Sequence, residues 1–231
     1  MNEIIKIENL SKIFKMGNQE IRAVDNVNLG IGESEFLAIM GPSGSGKTTL
    51  LNLIGLLDLP TEGKIFLEGK DTSRLKERDL NLLRLRKIGF IFQTFNLLSN
   101  LTVLENVIFP MILASFPKSF QEKRAKQLLS FVGLSQRLFH YPKQLSAGEC
   151  QRVAIARSLV NQPKILLADE PTGNLDLKSK KEISSLLEKV NLERKIAILL
   201  VTHDQEIAKV AQKIFKMVNG KILVMDHIQT L

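Results

Sequence analysis

Residues 41–48 read Gly41-Pro42-Ser43-Gly44-Ser45-Gly46-Lys47-Thr48, a spacing of glycines, one lysine and one hydroxyl that suits phosphate binding. Glycines let successive backbone N–H groups turn inward around phosphate oxygens, and a helix starting there adds its positive dipole end. Lys47 can neutralise charge on the β- and γ-phosphates of a nucleotide, and the Thr48 hydroxyl can ligate Mg²⁺. With Thr49 at the start of the following helix, these residues form a candidate nucleotide site. A second pair of chemically capable residues, Asp169 and Glu170, closes the apolar run Ile165-Leu166-Leu167-Ala168. Adjacent strand residues point to opposite faces, so the two carboxylates can divide labour. Asp169 would hold Mg²⁺, directly or through water, and Glu170 would polarise an attacking water. No Asn-Lys-x-Asp segment, the guanine-reading signature of GTPases, occurs in the chain.

These residues need a strand before the glycine loop, a helix after it and a second strand beneath the carboxylates. The pattern supplies all three. Phe36-Leu37-Ala38-Ile39-Met40 is a short continuous apolar run of buried-strand type, and Thr49–Ile54 reads as a helix. Ile4–Leu10 is apolar-rich, and Gly63 and Gly69 bracket a further short strand, Lys64–Glu68. From about residue 96 to 150 the pattern turns helical. Ser119 and Glu122 have capping-box spacing, Ala125, Leu128, Leu129 and Val132 share one helical face, and Gly133 supplies a stop. Beyond this stretch, strands at Ile165–Ala168 and Ile196–Val201 flank a polar-faced helix around Lys178–Asn191, the rhythm of a mostly parallel sheet covered on both faces. Asn219-Gly220, between Ile214–Val218 and Lys221–Met225, is a two-residue hairpin signal. The expected architecture is an α/β core interrupted by a helical insertion, in one domain over residues 1–231.

Composition narrows the remaining choices. Of the 231 residues, 44% are hydrophobic and 24% charged, enough apolar material for a sizeable core. The longest uncharged apolar stretches are far too short to cross a bilayer. Early acidic residues, with no apolar run before a small-residue cleavage site, make a secretory signal unexpected. The one cysteine, Cys150, excludes an internal disulfide and fits a reducing compartment. The net charge of +8 is spread over scattered lysines, without a basic stripe, interleaved aromatics or zinc spacing. Direct nucleic-acid binding is therefore not expected, and proximity to anionic lipid is the better functional reading of the charge.

One more segment completes the set. Leu145-Ser146-Ala147-Gly148-Glu149 has capping-box spacing from Ser146 to Glu149 and opens a helix through Arg157. A helix N-terminus at a small-residue turn is also an anion site. This segment resembles the signature motif of ABC ATPases, usually Leu-Ser-Gly-Gly-Gln. Gln93 in Phe90-Ile91-Phe92-Gln93 resembles the Q-loop glutamine, Gly173-Asn174-Leu175-Asp176 the D-loop, and His203 in Leu200-Val201-Thr202-His203-Asp204 the switch histidine. Phe14 matches the aromatic that stacks on adenine. The resemblance covers roughly residues 3 to 225 with six motifs in order. Asp-Glu-Pro-Thr-Gly-Asn-Leu-Asp at 169–176, Glu149 and the stretch Gly89–Leu98 look like the lipoprotein-releasing and macrolide-export branch, of which the cell-division ATPase shares much.

What the resemblance implies is a P-loop NTPase of ABC type with an antiparallel β part and an inserted α-helical subdomain. Its cofactors are ATP and Mg²⁺. Gln93 would sense the metal and the membrane partner, and His203 would contact the γ-phosphate. Ser146, Gly148 and Asp176 would serve the nucleotide held by a second copy, in a homodimer with ATP sandwiched. A transmembrane permease would be the partner, and the cytoplasmic face of the cell membrane the location. A soluble ABC ATPase acting on nucleic acid or ribosomes, and a module that binds ATP without hydrolysing it, are the competing readings. The first normally carries long insertions absent here, and Glu170 and His203 speak against the second. Two residues depart from the family pattern. Ala147 replaces a signature glycine, with slower turnover expected if that position needs φ > 0 or close phosphate approach. Cys150, near a helix N-terminus, is expected to carry a somewhat acidified thiol.

Overall fold

A computed structural model of the chain describes residues 3–17 and 19–224. The chain opens with β1 (Glu3–Met16) and β2 (Gln19–Gly32), then β3 (Phe36–Met40), which leads into α1 (Lys47–Ile54). After β4 (Glu62–Leu67) and the short β5 (Lys70–Asp71) come α2 (Glu77–Lys87) and β6 (Ile88–Phe92). Three helices follow: α3 (Val103–Leu113), α4 (Lys118–Phe131) and α5 (Ala147–Leu159). The chain then alternates through β7 (Ile165–Asp169), α6 (Leu177–Arg194), β8 (Ala197–Thr202) and α7 (Gln205–Ala208), before the hairpin of β9 (Lys213–Val218) and β10 (Lys221–Val224). Met225, the expected last residue of that hairpin, lies outside the described residues.

Two sheets form. One has four antiparallel strands in the order β2-β1-β4-β5, and the other has six in the order β10-β9-β3-β8-β7-β6. In the second, β9, β3, β8, β7 and β6 run parallel, and β10 returns antiparallel against β9. Strand alternation decides which core each side chain joins. Phe36, Ala38, Leu166, Ala168, Ile198 and Leu200 pack with Val107, Leu128, Leu129, Val153, Ile155, Ile183 and Leu187, that is, with α3 to α6. Leu37, Ile39, Ile165, Leu167, Leu199 and Val201 point the other way. They meet Leu50, Leu51, Leu53 and Ile54 of α1, with Ile5, Ile7, Ile31, Ile65 and Leu67 of the antiparallel sheet. Helix α1 is thus held between the two sheets by its apolar side chains, each contributing about 1.5–3 kcal/mol when fully buried.

This arrangement positions the chemistry. Parallel strands joined by crossovers end together, so Met40 pairs with Thr202, Asp169 with Val201 and Phe92 with Asp169 at one edge of the sheet. Every sequence motif that leaves a strand therefore leaves it on the same side.

Several expectations need revision. Ser119 does not cap α4: Pro117 is the N-cap residue, Ser119 is already the second helical residue, and Glu122 instead pairs with Lys126 at 2.6 Å. A proline with extended ψ starts the helix two residues earlier than the Ser-x-x-Glu spacing suggests. The α3 cap is built from Thr102 and Glu105, so regular helix begins at Val103 rather than near residue 96. Strand β1 runs on beyond the apolar run Ile4–Leu10 to Met16, paired with β2. The face of Ala125, Leu128, Leu129 and Val132 is buried as expected, and Gly133 follows with φ +77. The turn residues Asn219 and Gly220 have φ +48 and +80, the left-handed pair that a tight hairpin requires.

Candidate active site

The glycine loop starts where β3 ends. Gly46 is the N-cap of α1 with φ +102, a conformation a side chain strongly disfavours. A Cβ there would also collide with the Ala23 carbonyl of β2, so the tight turn is tied to the antiparallel sheet by a glycine-only approach. The loop holds its own lysine. Lys47 Nζ donates to the carbonyl oxygens of Gly41 and Pro42, both at 2.9 Å, which places the ammonium inside the loop's curve. The Ser45 carbonyl accepts the Gly220 N–H at 3.0 Å, which brings the Asn219-Gly220 turn beside the loop.

Below the loop lie the two carboxylates. Thr48 Oγ1 donates to Asp169 Oδ1 at 3.2 Å. Burial pushes the Asp169 carboxyl up from its ordinary value; the Thr48 hydrogen bond opposes this, the neighbouring Glu170 charge adds to it, and Lys47 opposes it. A hydroxyl and a partly desolvated carboxylate this close make an oxygen-only corner of the kind Mg²⁺ occupies, with phosphate and water supplying its other ligands. Among the described residues no cluster of three or more His, Cys, Asp or Glu could hold a metal by itself.

Glu170 departs from strand geometry. Its φ is +44, and its N–H bonds to the Val201 carbonyl at 3.0 Å. A left-handed backbone at a residue with a side chain costs about 1–2 kcal/mol, and such strain collects at functional sites. The twist turns the carboxylate toward β8. Oε1 lies 2.8 Å from His203 Nδ1, and Oε2 accepts the Thr202 hydroxyl at 3.2 Å.

Gln93, one residue beyond β6, faces the same edge. Its Nε2 donates to Asn174 Oδ1 at 3.2 Å, while Asn174 Nδ2 donates back to the Gln93 carbonyl at 3.1 Å. Gly173 leaves room for this, because a Cβ there would meet the Gln93 side chain at 2.6 Å.

Together these residues wall a cleft of about 900 Å³. Pro42, Ser43, Gly44, Gly46, Lys47, Thr48, Thr49, Gln93, Glu170 and His203 line it, with Asp169 just behind Thr48. Gly41 and Ser45, the remaining loop residues, do not line it, and Ser45 is buried. Ile21, Arg22, Ala23, Asn219 and Gly220 also line the cleft, and the sequence reading did not single them out for it. Their signal was indirect: Asn219-Gly220 registered only as a turn, and nothing local says that this turn bonds to the glycine loop. Phe14 is 41% exposed and is not among the lining residues, but it is the cross-strand partner of Ile21.

Ser146, Gly148 and Asp176 meet elsewhere. Ser146 caps α5, its Oγ accepting the Glu149 N–H at 3.2 Å while Glu149 Oε2 accepts the Ser146 N–H at 2.8 Å. Asp176 caps α6 through the Ser179 N–H at 3.0 Å. The two helix N-termini adjoin, since a Cβ on Gly148 would lie 2.9 Å from Ser179 Oγ. None of the three lines the cleft of its own chain.

The two departures from the family pattern take a different meaning. Ala147 is the first residue of α5, after an extended Ser146, and its φ is not positive, so its methyl meets no conformational penalty. The Cys150 thiol is not acidified. It is buried, with Sγ 3.6 Å from the Pro142 carbonyl, and burial pushes it up from its ordinary value, with the Glu149 charge adding to the effect.

The chain matches the family model described as ABC transporter over residues 24–173. It is 51% identical over 220 residues to an uncharacterised ABC transporter ATP-binding protein of Methanocaldococcus jannaschii, covering 95% of this chain and 98% of that protein. It is 46% identical over 223 residues to the lipoprotein-releasing system ATP-binding protein of Aquifex aeolicus, covering 96% and 97%. Among solved structures, a dimeric ATP-binding cassette of Methanocaldococcus jannaschii in a post-hydrolysis state, bound to ADP and Pi, superposes with a TM-score of 0.89 at 43% identity, covering 98% of this chain and all of that one.

Proposed function

The chain belongs to the ABC transporter family, and from that premise we propose that it is the ATP-binding and ATP-hydrolysing subunit that powers a separate membrane permease. The observation that carries this reading is the convergence of the glycine loop, Asp169, Glu170, Gln93 and His203 on one cleft. Two copies close around two ATP molecules. Each supplies its loop to one nucleotide and its Ser146, Gly148 and Asp176 to the other. The separation of those three residues from their own chain's cleft supports this exchange, as does the dimeric cassette bound to ADP and Pi.

Within each site Phe14 and Ile21 flank the adenine, and the backbone N–H groups of residues 43–49 surround the phosphates. Lys47 turns its ammonium from the loop carbonyls toward the β- and γ-phosphates. Thr48, Asp169 and Gln93 would hold Mg²⁺, which would supply charge neutralisation on the phosphate oxygens. For Gln93 this would mean giving up its bond to Asn174. Glu170 takes the proton of the attacking water, and His203 turns to the γ-phosphate. Closure and reopening of the dimer are then transmitted to the permease.

Among the described residues no helix is long and apolar enough to cross a membrane, so in this reading the membrane span belongs to the partner and the chain sits against the cytoplasmic face of the membrane. The lipoprotein-releasing and macrolide-export relatives support export or lipoprotein release as the work powered. Affinity purification of the tagged chain from detergent-solubilised native membranes is expected to bring down a permease whose reconstituted complex hydrolyses ATP faster with a lipid-modified peptide present. Recovery of ribosomal or DNA-repair components, with no membrane protein, would overturn the transporter reading.

A further inference from the structure

We propose that Thr202 is a positioning residue for hydrolysis, its buried hydroxyl holding one carboxylate oxygen of Glu170 so that the other is presented to water. The proposal rests on the reading of Glu170 as the general base. A threonine hydroxyl has one proton to donate. Thr202 Oγ1 accepts the Asp204 N–H at 3.0 Å, and this leaves its proton for Glu170 Oε2 at 3.2 Å, an oxygen that as carboxylate can only accept.

The two holders of Glu170 differ in rigidity. His203, on Oε1, has a side chain 66% exposed and is free to turn toward a phosphate. Thr202 is wholly buried at the end of β8, in register with Met40 at the mouth of the glycine loop. Val201, its neighbour, bonds the Glu170 N–H at 3.0 Å, so consecutive residues of one central strand hold both the left-handed backbone and the carboxylate of Glu170. Asp204 fixes the far side, accepting the Glu206 N–H at 3.0 Å and pairing with Lys180 of α6 at 3.1 Å. When His203 leaves Oε1 for the nucleotide, Thr202 is the contact that stays. A base swinging freely about its side-chain torsions loses part of the gain that orientation provides.

The test is a double-mutant cycle with Glu170→Gln, read by single-turnover hydrolysis of ATP and separately by the affinity for a fluorescent ATP analogue. Thr202→Val keeps the shape and removes the proton. It is expected to lower kcat about 10-fold, a fraction of what a general base supplies, with KM and analogue affinity unchanged. Thr202→Ser should restore the rate to within about twofold, and Thr202→Val should add nothing in the Glu170→Gln background, because residues acting as a unit are not additive. Thr202→Ala, also without the hydroxyl, gives the same reading if the valine variant does not fold. Equal losses in both backgrounds, or no recovery with serine, would overturn the proposal. A Glu170→Gln variant as fast as wild type would instead remove the base assignment, and the proposal with it.

Discussion

Asp169 meets opposed demands. Its carboxylate lies where burial disfavours charge, and Thr48 and Lys47 offset that only in part. An acid whose folded pKa is raised holds its proton longer in the folded than in the unfolded state, so stability falls as pH rises through the interval above the ordinary value of 3.8. Above that interval the whole penalty is present. Asp169→Asn removes it and keeps an oxygen for the Thr48 hydroxyl. The nucleotide-free variant is expected to melt at a higher temperature than wild type at pH 7, with the gap closing below pH 3.8. Its Mg²⁺-dependent ATPase rate should fall at least about 100-fold, the usual scale for loss of a charge-stabilising group. Calorimetry across pH and a steady-state assay read the two effects. A variant no more stable than wild type would show that the buried charge is compensated. At this scale most of the site was legible in the sequence, because a phosphate loop and a strand-end carboxylate pair are fixed spacings of particular residue types. The Cys150 expectation failed because helix position alone says nothing of burial.

Elements differ in how plainly they announced themselves. Strands β3, β7 and β8 are uninterrupted apolar runs because both faces are covered, whereas β2 places only Val24, Val27, Leu29 and Ile31 in the core and begins with an exposed, polar stretch. Helix α2 buries only Leu80, so its sequence carries no apolar stripe to read. Caps were legible where the residue pair lay next to the chain's true turn, as at Ser146, and misread where a proline moved the start, as at Ser119. The α3 cap gives a test away from the chemistry. Glu105 accepts the Thr102 N–H and hydroxyl, both at 2.7 Å, and the backbone bond first, then the hydroxyl, holds its carboxyl below the ordinary 4.5. A depressed acid contributes stability above its unfolded value and loses it as pH falls through the folded one. Glu105→Ala is expected to cost about 1 kcal/mol at pH 7, or about 2–4 °C in Tm for a chain of this size. The difference should shrink below pH 4.5 and the ATPase rate should stay unchanged. A Tm difference independent of pH would contradict the cap as its source.

For the whole molecule, the division of the site between two separate places in the fold matters most. The cleft gathers the phosphate loop, Glu170, Gln93 and His203, with Asp169 behind Thr48, while the capped N-termini of α5 and α6 stand together elsewhere with Ser146, Gly148 and Asp176. No local spacing could reveal that separation, since each motif is complete within its own segment and only the three-dimensional arrangement parts them. On the proposed exchange the second copy is a chemical requirement, so hydrolysis and association should rise and fall together. The direct measurement is light scattering of Glu170→Gln with saturating ATP and Mg²⁺, beside its ATPase rate. A subunit of 26.0 kDa should run at twice its mass with hydrolysis slowed by about 100-fold or more, and return to single mass when ADP replaces ATP. A variant that stays at single mass under saturating ATP, or that hydrolyses at the wild-type rate, would contradict an ATP-sandwiched dimer with Glu170 as its base.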